Sequence, residues 1–235
     1  MPMKLLRLAG ACALAASTIA APEALAQGKV LKVSLSTELQ ILDPIVTRIN
    51  SARVFAYLAY DTLIGMDSAG NFKPQMLESW VLSDDKLTYT FTLRDGLSWN
   101  DGTAVTSDDC IASIERWAKR DPFGGAMMEA VGELRALDAK RFTIRLRRPF
   151  GFVIEALGRS GHQVPVMMPA RLARLEASKP VPEVVGSGPF TFGEHVKGSH
   201  VQGARFDKYF KPGQPYLDGF RGVFMTQPAA MLNAL

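Results

Sequence analysis

Ser160 lies in the segment that comes nearest to a catalytic nucleophile motif, because glycines flank it at positions 158 and 161. The nucleophile elbow of hydrolases requires the spacing G-x-S-x-G, and His162 stands where the second glycine would have to be. The sequence also lacks the glycine-rich loops that bind nucleotide phosphates or dinucleotides. We therefore predict that this protein is not an enzyme and that it needs no cofactor.

Metal-binding motifs are absent as well. Zinc sites use H-E-x-x-H or pairs of cysteines, and His195 and His200, five residues apart, provide neither. The aspartates lack the spacing of a calcium loop, and each of them fits a turn or a helix cap. These aspartates are Asp84, Asp85, Asp101, Asp108 and Asp109. The sequence predicts no metal site.

The N-terminus has the features of an export signal. Lys4 and Arg7 precede an almost entirely apolar stretch at residues 8–21, and Ala-Leu-Ala at 24–26 forms a small-x-small cleavage site. The apolar stretch is too short for a comfortable membrane span, which argues against a transmembrane anchor. Cys12 lies too early for a lipoprotein signal. We predict a signal peptide at residues 1–26, cleavage between Ala26 and Gln27, and a periplasmic location.

The composition suits a globular protein with a real core, since 47% of the residues are hydrophobic. Removal of residues 1–26 lowers the formal charge from +4 to +3, and the remaining charge is spread along the chain. This pattern favours an ordinary solvated surface over a nucleic-acid site. Cys110 is then the only cysteine, so an intramolecular disulfide is excluded, and its apolar helical surroundings predict a buried thiol.

Periodic patterns predict both strands and helices, and therefore an α/β or mixed α+β fold. Alternation is clearest where Tyr89, Phe91 and Leu93 point one way and three threonines point the other. Helices are predicted at residues 51–60, between Thr106 and Asp121, and at residues 150–157 and 171–177. Strands are predicted at residues 30–36, 80–82, 88–93, 131–136, 142–147, from 190 onward, at 201–206 and at 222–225.

Turn and cap residues support these assignments. Asp-Gly pairs place Gly96 and Gly102 at turns, where a positive φ costs glycine little. Thr106 and Asp109 have the spacing of a capping box at the start of a helix. Either Asn50 or Ser51 is predicted as the N-cap of the helix that follows it.

Eight short segments, in consistent order, resemble the extracytoplasmic solute-binding proteins of peptide-type ABC importers, the family-5 dipeptide, oligopeptide and nickel-binding group. The segments are LDP (42–44), YDTL (60–63), PQMLESW (74–80), LRDG (93–96), WNDGT (99–103), TSDDCI (106–111), GSGPF (186–190) and YLD (216–218). Ala104 stands where the family often has proline, and Ser187 replaces its common threonine. No single segment is decisive, but the ordered set is specific.

The resemblance implies a periplasmic binding protein fold of type II. Residues 27–235 would form the N-terminal lobe, with an inserted subdomain at about 60–185 and the C-terminal lobe absent. Family members are much longer, and the apolar helix expected at 228–235 ends without a cap. Both features favour a chain truncated before the second lobe.

In the resembled family, the ligand lies in a cleft between two lobes, and hinge closure buries it. A peptide-like ligand needs a carboxylate for its amine and a cation for its carboxylate, which Glu38 and Arg48 could supply. Solvated loop charges would give the same sequence pattern, so both interpretations stay open. The residues that the resemblance places in the first-lobe wall are Thr37, Glu38, Arg48, Asn50, Ser51, Ser160 and His162.

The function implied by the resemblance is capture of a peptide or similar small organic solute for an ABC transporter membrane permease. The protein would be a monomer and would bind no nucleic acid. Two alternatives stay open: a periplasmic chaperone or interaction module that holds extended peptides, and a nonfunctional truncated product.

Overall fold

A computed structural model describes residues 28–161 and 163–225 of the chain. The predicted signal peptide, His162 and the helix expected at 228–235 lie outside the described residues. The helices are α1 (Asn50–Ala59), α2 (Ser107–Ala118), α3 (Pro122–Ala130), α4 (Val153–Gly158) and α5 (Ala170–Ala173). The strands are β1 (Val30–Leu35), β2 (Ile64–Met66), β3 (Phe72–Pro74), β4 (Leu77–Leu82), β5 (Thr88–Leu93), β6 (Val131–Ala136), β7 (Arg141–Leu146), β8 (Phe190–Val196), β9 (His200–Arg205) and β10 (Gly219–Phe224).

One four-stranded sheet joins the two ends of the described chain, in the order β1-β10-β9-β8. β1 pairs with β10 in parallel, from Val30 opposite Gly219 to Leu35 opposite Phe224, whereas the other pairs are antiparallel. Helix α1 packs on this sheet through Phe55, whose ring lies 6.1 Å from Phe192 in an edge-to-face arrangement. Because β1 and β10 end at the same edge, the loop after β1 emerges at the carboxyl ends of a parallel pair.

A second four-stranded sheet, with the order β4-β5-β7-β6, is entirely antiparallel. Its inner face carries the alternating aromatic residues, and Phe91 and Phe142 stack with their ring centroids 5.0 Å apart. Helix α2 covers this side of β6 and β7. The alternation predicted for residues 88–93 is confirmed, because Tyr89, Phe91 and Leu93 are buried and the intervening threonines are half-buried.

Helix α2 begins as predicted. Asp109 accepts a hydrogen bond from the backbone N–H of Thr106, and the Thr106 side chain accepts one from the N–H of Asp109, so the capping box is complete. Trp117 is fully buried on the inner face. The Cys110 thiol is buried, as predicted, and burial raises its pKa.

Three sequence predictions were incomplete or wrong. Ile49 is the N-cap of α1 and no side chain caps it, so neither Asn50 nor Ser51 has the predicted role. Helix α3 was missed, although Asp121 accepts hydrogen bonds from the N–H groups of residues 123 and 124 and proline occupies the first turn. The short β2–β3 hairpin was also missed, because three-residue strands show no measurable periodicity.

The GSGPF segment connects the two sheets through close backbone contact rather than through a special turn. A Cβ atom on Gly186 would lie 2.0 Å from the carbonyl oxygen of Ala59, and one on Gly188 would lie 2.6 Å from the carbonyl oxygen of Tyr60. The N–H of Gly188 donates to Ala59 O at 3.2 Å. Only glycine fits at either position, so this segment fixes how the end of α1 meets β8.

Candidate functional site

The loop after β1 is anchored by a buried ion pair. Arg116 on α2 donates to Asp43 Oδ2 at 2.8 Å, and both side chains are fully buried. Asp43 also accepts hydrogen bonds from the N–H of Ile45 at 2.9 Å and of Val181 at 3.1 Å. Arg116 donates further to carbonyl oxygens at residues 175, 176 and 179. The LDP motif thus holds the loop against α2 and the 175–181 segment.

Two of the predicted ligand-binding residues meet at the start of α1. Ser51 donates its hydroxyl hydrogen to the carbonyl oxygen of Thr37 at 2.7 Å, and the Thr37 and Ser51 hydroxyl oxygens are also 2.7 Å apart. Ser51 is buried, whereas Thr37 is exposed. Thr37 is therefore the member of the pair that faces solvent, and Ser51 fixes its position.

Arg48 connects this loop to the segment around residue 160. Its Nε donates to Gln163 Oε1 at 3.3 Å, and Gln163 Nε2 donates to the carbonyl oxygen of Ile45 at 2.7 Å. Trp117 Nε1 holds the backbone of Gln163 through a 2.8 Å bond to its carbonyl oxygen. Sequence reasoning missed Gln163, because nothing in its neighbourhood signals that this polar residue is buried. Its direct neighbour, His162, lies outside the described residues.

Ser160 is exposed, and its carbonyl oxygen accepts a 3.4 Å hydrogen bond from the hydroxyl of Tyr57 on α1. Next to it, Arg159 pairs with the buried Asp121 at 2.8 Å and lies 5.3 Å from the ring centroid of Phe123. These contacts hold residues 159–160 beside α1. We call the surface formed by Thr37, Arg48, Asn50 and Ser160, together with the buried Ser51 that holds Thr37, the loop face.

Asn50 and Glu38 differ from the other predicted residues. Asn50 is exposed in the first turn of α1, where its Oδ1 accepts a hydrogen bond from Arg53. Glu38 Oε1 accepts a 2.7 Å hydrogen bond from the N–H of Gly198, so it points toward the turn between β8 and β9. The structure therefore joins Thr37 to Ser51 and links Arg48 to Gln163. It places Ser160 beside Tyr57 of α1 and directs Glu38 to a neighbouring turn.

A cleft of about 370 Å³ lies at the other end of α1. Ser160 is the one predicted residue that lines it. The walls are otherwise formed by aromatic, apolar and polar side chains from several elements. We call it the Asp61 cleft, and its main lining residues are Tyr57, Tyr60, Asp61, Gln75, Ser160 and Tyr209.

Asp61 is the ionisable group at the bottom of this cleft. Its Oδ2 accepts hydrogen bonds from Tyr209 at 3.0 Å and from Gln75 at 3.2 Å, and its Oδ1 accepts one from the N–H of Thr62 at 2.8 Å. Burial raises the pKa of Asp61 to about 6, and the hydrogen bonds offset that rise only in part. Burial, and next the Asp61 charge, raise the pKa of Tyr209 above its usual range. The family-like YDTL motif therefore places a carboxylate in a cleft.

Within residues 28–161 and 163–225, no group of three or more histidine, cysteine, aspartate or glutamate side chains is arranged to hold a metal ion. In the same part of the chain, no helix has both the length and the hydropathy that a membrane span requires.

A profile of the bacterial extracellular solute-binding proteins, family 5 middle, matches residues 71–235. This chain belongs to that family. It is 37% identical over 216 residues to a probable peptide ABC transporter periplasmic-binding protein of Sinorhizobium fredii. The aligned region covers 91% of this chain and 40% of that relative. It is also 28% identical over 196 residues to a glutathione-binding protein of Escherichia coli, and that aligned region covers 81% of this chain and 37% of the relative.

Solved structures share the fold. The binding protein AgaA of A. tumefaciens, in complex with agropinic acid, is 31% identical, with a TM-score of 0.76 over 88% of this chain and 42% of that protein. The oligopeptide-binding protein AppA of Bacillus subtilis, in complex with a nonapeptide, has a TM-score of 0.76 at 22% identity over 89% of this chain and 42% of that protein. The mixed α/β fold of a periplasmic binding protein is thereby confirmed, and this chain spans about 40% of its relatives' length.

Proposed function

We propose that this chain is the first-lobe part of a periplasmic substrate-binding protein that captures peptides or similar small organic solutes for an ABC membrane permease. It would act as a monomer, without catalysis, cofactor or nucleic acid. The relatives support the solute class, because their names specify peptides and glutathione, and one solved relative holds agropinic acid.

The observation that carries this proposal is the position of the loop face. In open α/β sheets, ligands bind outside the carboxyl ends of the strands. The loop that carries Thr37 and Arg48 emerges where the parallel strands β1 and β10 end together. Its backbone is fixed by the buried Asp43–Arg116 pair, so its exposed polar groups are held in place before a solute arrives.

The roles of individual residues follow from their contacts. The exposed guanidinium of Arg48 makes one long hydrogen bond to Gln163 and has donors left for a solute carboxylate. Thr37 and Asn50 offer a hydroxyl and an amide, and Ser51 acts by fixing Thr37. Glu38 has one oxygen bonded to Gly198 and a second for a solute amine. Ser160 and His162 would complete the wall.

Backbone amide NMR with a panel of small peptides tests this proposal. We expect millimolar additions to shift resonances of Thr37, Arg48 and Ser160, because one wall of a cleft binds weakly. Arg48→Ala should weaken the response to peptides with a free carboxylate. Arg221→Ala, on an exposed position of β10, is the matched control and should not. Shifts elsewhere, or none at all, would refute the assignment.

The solute would bind between the loop face and an opposite wall. We expect a second lobe to provide that wall, since the relatives are about 2.5 times as long as the aligned region. Isothermal calorimetry should therefore show no tight solute binding by residues 27–235 alone. Submicromolar affinity of these residues for a peptide would contradict the two-wall arrangement and leave the binding function intact.

A further inference from the structure

The buried aspartates of the described residues differ in what surrounds their charge. Asp43 and Asp121 each form an ion pair with an arginine. Asp109, in the first turn of α2, has no such partner, but its carboxylate oxygens accept hydrogen bonds from the backbone N–H groups of Thr106 and Ala170. Asp61 also forms no ion pair, and it lines the cleft named after it.

All three hydrogen-bond donors of Asp61 are neutral: a backbone N–H, an amide and a phenol. The charge of Lys211 acts on Asp61, but Lys211 Nζ donates to Gln75 Oε1 at 2.6 Å and forms no ion pair with Asp61. Arg159 also lines the cleft, but its charge is paired with Asp121. When ionised, Asp61 is therefore a carboxylate in the cleft whose charge no neighbouring cation neutralises directly.

The walls of the cleft suit a cationic group with a short carbon chain. The lining includes three phenol rings, from Tyr57, Tyr60 and Tyr209, and ring faces attract ammonium groups. Ile64, which is buried, and Met66, which is half exposed, add apolar surface to the lining. The volume of about 370 Å³ is enough for a small amine, and the carboxylate lies at the bottom with 6% exposure.

From this arrangement we propose that the Asp61 cleft is a binding site for the primary ammonium group of a small organic molecule. The ammonium would donate to Asp61, the phenol rings would flank it, and the alkyl chain would extend past Ile64 and Met66 toward solvent. The site is separate from the loop face and shares only Ser160 with it, so the inference does not depend on the proposed solute-binding function.

The charge on Asp61 must be present for the ammonium to bind, and this makes the binding depend on pH. With the pKa of Asp61 at about 6, the carboxylate is ionised near pH 7.5 and mostly protonated near pH 5. The other titratable or charged groups facing it are Tyr57, Tyr60, Tyr209, Lys211 and Arg159. The affinity for an amine should therefore fall about tenfold between those two pH values.

The test uses n-butylammonium as the probe and 1-pentanol, which has a similar shape without charge, as its control. NMR of the carboxyl carbon of Asp61 in the complete chain should show saturable n-butylammonium binding with a Kd on the order of 1 mM. The amine should lower the pKa of Asp61, and 1-pentanol should not. N-acetyl-lysine methylamide tests whether a lysine side chain of a peptide can supply the same group. Binding of either amine supports the site, and binding of neither overturns it.

Variants make the test specific. Asp61→Asn should abolish amine binding, whereas Asp67→Asn, at an aspartate outside the cleft, should not change it. Lys211→Met removes the nearby positive charge without touching Asp61 and should strengthen amine binding severalfold. If Asp61→Asn does not fold, the pH dependence of amine binding by the unmodified chain and the effect of Lys211→Met still show whether Asp61 binds the amine. Equal amine binding at both pH values would overturn the proposal.

Discussion

Asp43 and Asp61 are both buried aspartates that flank α1, Asp43 seven residues before its first residue and Asp61 two residues after its last. Asp43 is neutralised by the fully buried Arg116, and that pair ties three segments together. Asp61 receives only neutral hydrogen bonds and borders an open cleft. Burial alone therefore does not assign a role to a charged residue. The charge of Asp43 is paired with a cation and holds the structure together, whereas the charge of Asp61 has no such pair and borders the cleft where we propose that an ammonium group binds.

The largest expected effect comes from breaking the Asp43 pair. Arg116→Met removes the cation and leaves a fully buried carboxylate without compensation, which should cost about 3–5 kcal/mol of unfolding free energy. Urea denaturation measures this loss. The double variant with Asp43→Asn removes the stranded charge and should recover much of the loss. A cost below about 1 kcal/mol in the single variant would contradict the structural role of the pair.

The next effect concerns the backbone contact behind the Asp61 cleft. Gly186→Ala would place a Cβ atom 2.0 Å from the carbonyl oxygen of Ala59, so the segment or the end of α1 must move. We expect a loss of about 2–3 kcal/mol in unfolding free energy. Gly151 has open space around it and serves as the matched control for an alanine substitution. Similar stabilities of the two variants would show that the contact is not restrictive.

Asp61→Asn is expected to raise the unfolding free energy, whereas the two substitutions above lower it. The folded-state pKa of Asp61, about 6, lies above the ordinary value of 3.8, so folding favours the protonated form. Stability from this group is present below pH 3.8 and is lost as the pH rises through about 6. Relative to the unmodified chain, the variant should gain about 1–3 kcal/mol between about pH 4 and pH 7.

The measurement for this prediction is the difference in urea midpoint between the two proteins across that range. Contributions from the other carboxylates cancel in the difference. A constant difference at all pH values would mean that Asp61 has an ordinary pKa, and the contrast with Asp43 would then be lost.

The smallest expected effect is at the two Asp-Gly turns, which lie away from both aspartates. Gly96 and Gly102 have φ values of +72° and +89°, with open space around each. Alanine at either position should cost about 1 kcal/mol through backbone strain alone, without changing amine or peptide binding. Thermal unfolding checks the stability change, and an unchanged melting temperature would argue against the strain.

The local parts of the fold could be predicted from the sequence. The strand at residues 88–93 and the capping box at Thr106 depend on neighbours within a few positions, and both are confirmed. Helix α3 was missed because two glycines lower its helix propensity, although Asp121 caps it and the proline occupies its first turn. Serine at position 51 suggested a helix cap, but its hydroxyl bonds to Thr37 in the preceding loop instead.

The site was harder to predict, because it depends on contacts between distant segments. Gln163, Arg116 and Asp61 are polar residues whose burial comes from tertiary packing, and no local pattern signals it. The glycines of GSGPF were noted only as part of a family-like segment, and the sequence did not show that the structure requires them for close contact with the backbone at Ala59 and Tyr60. The resemblance to a family identified the loop after β1 as a candidate wall but did not reveal what anchors it.

The most direct test of the solute-binding role is the amide NMR titration of this chain with small peptides at millimolar concentration. We predict saturable shifts confined to the loop face, centred on Thr37 and Arg48, that weaken in Arg48→Ala and persist in Arg221→Ala. Peptide-induced shifts that avoid the loop face, or that are the same in both variants, would contradict a solute-binding role for this surface.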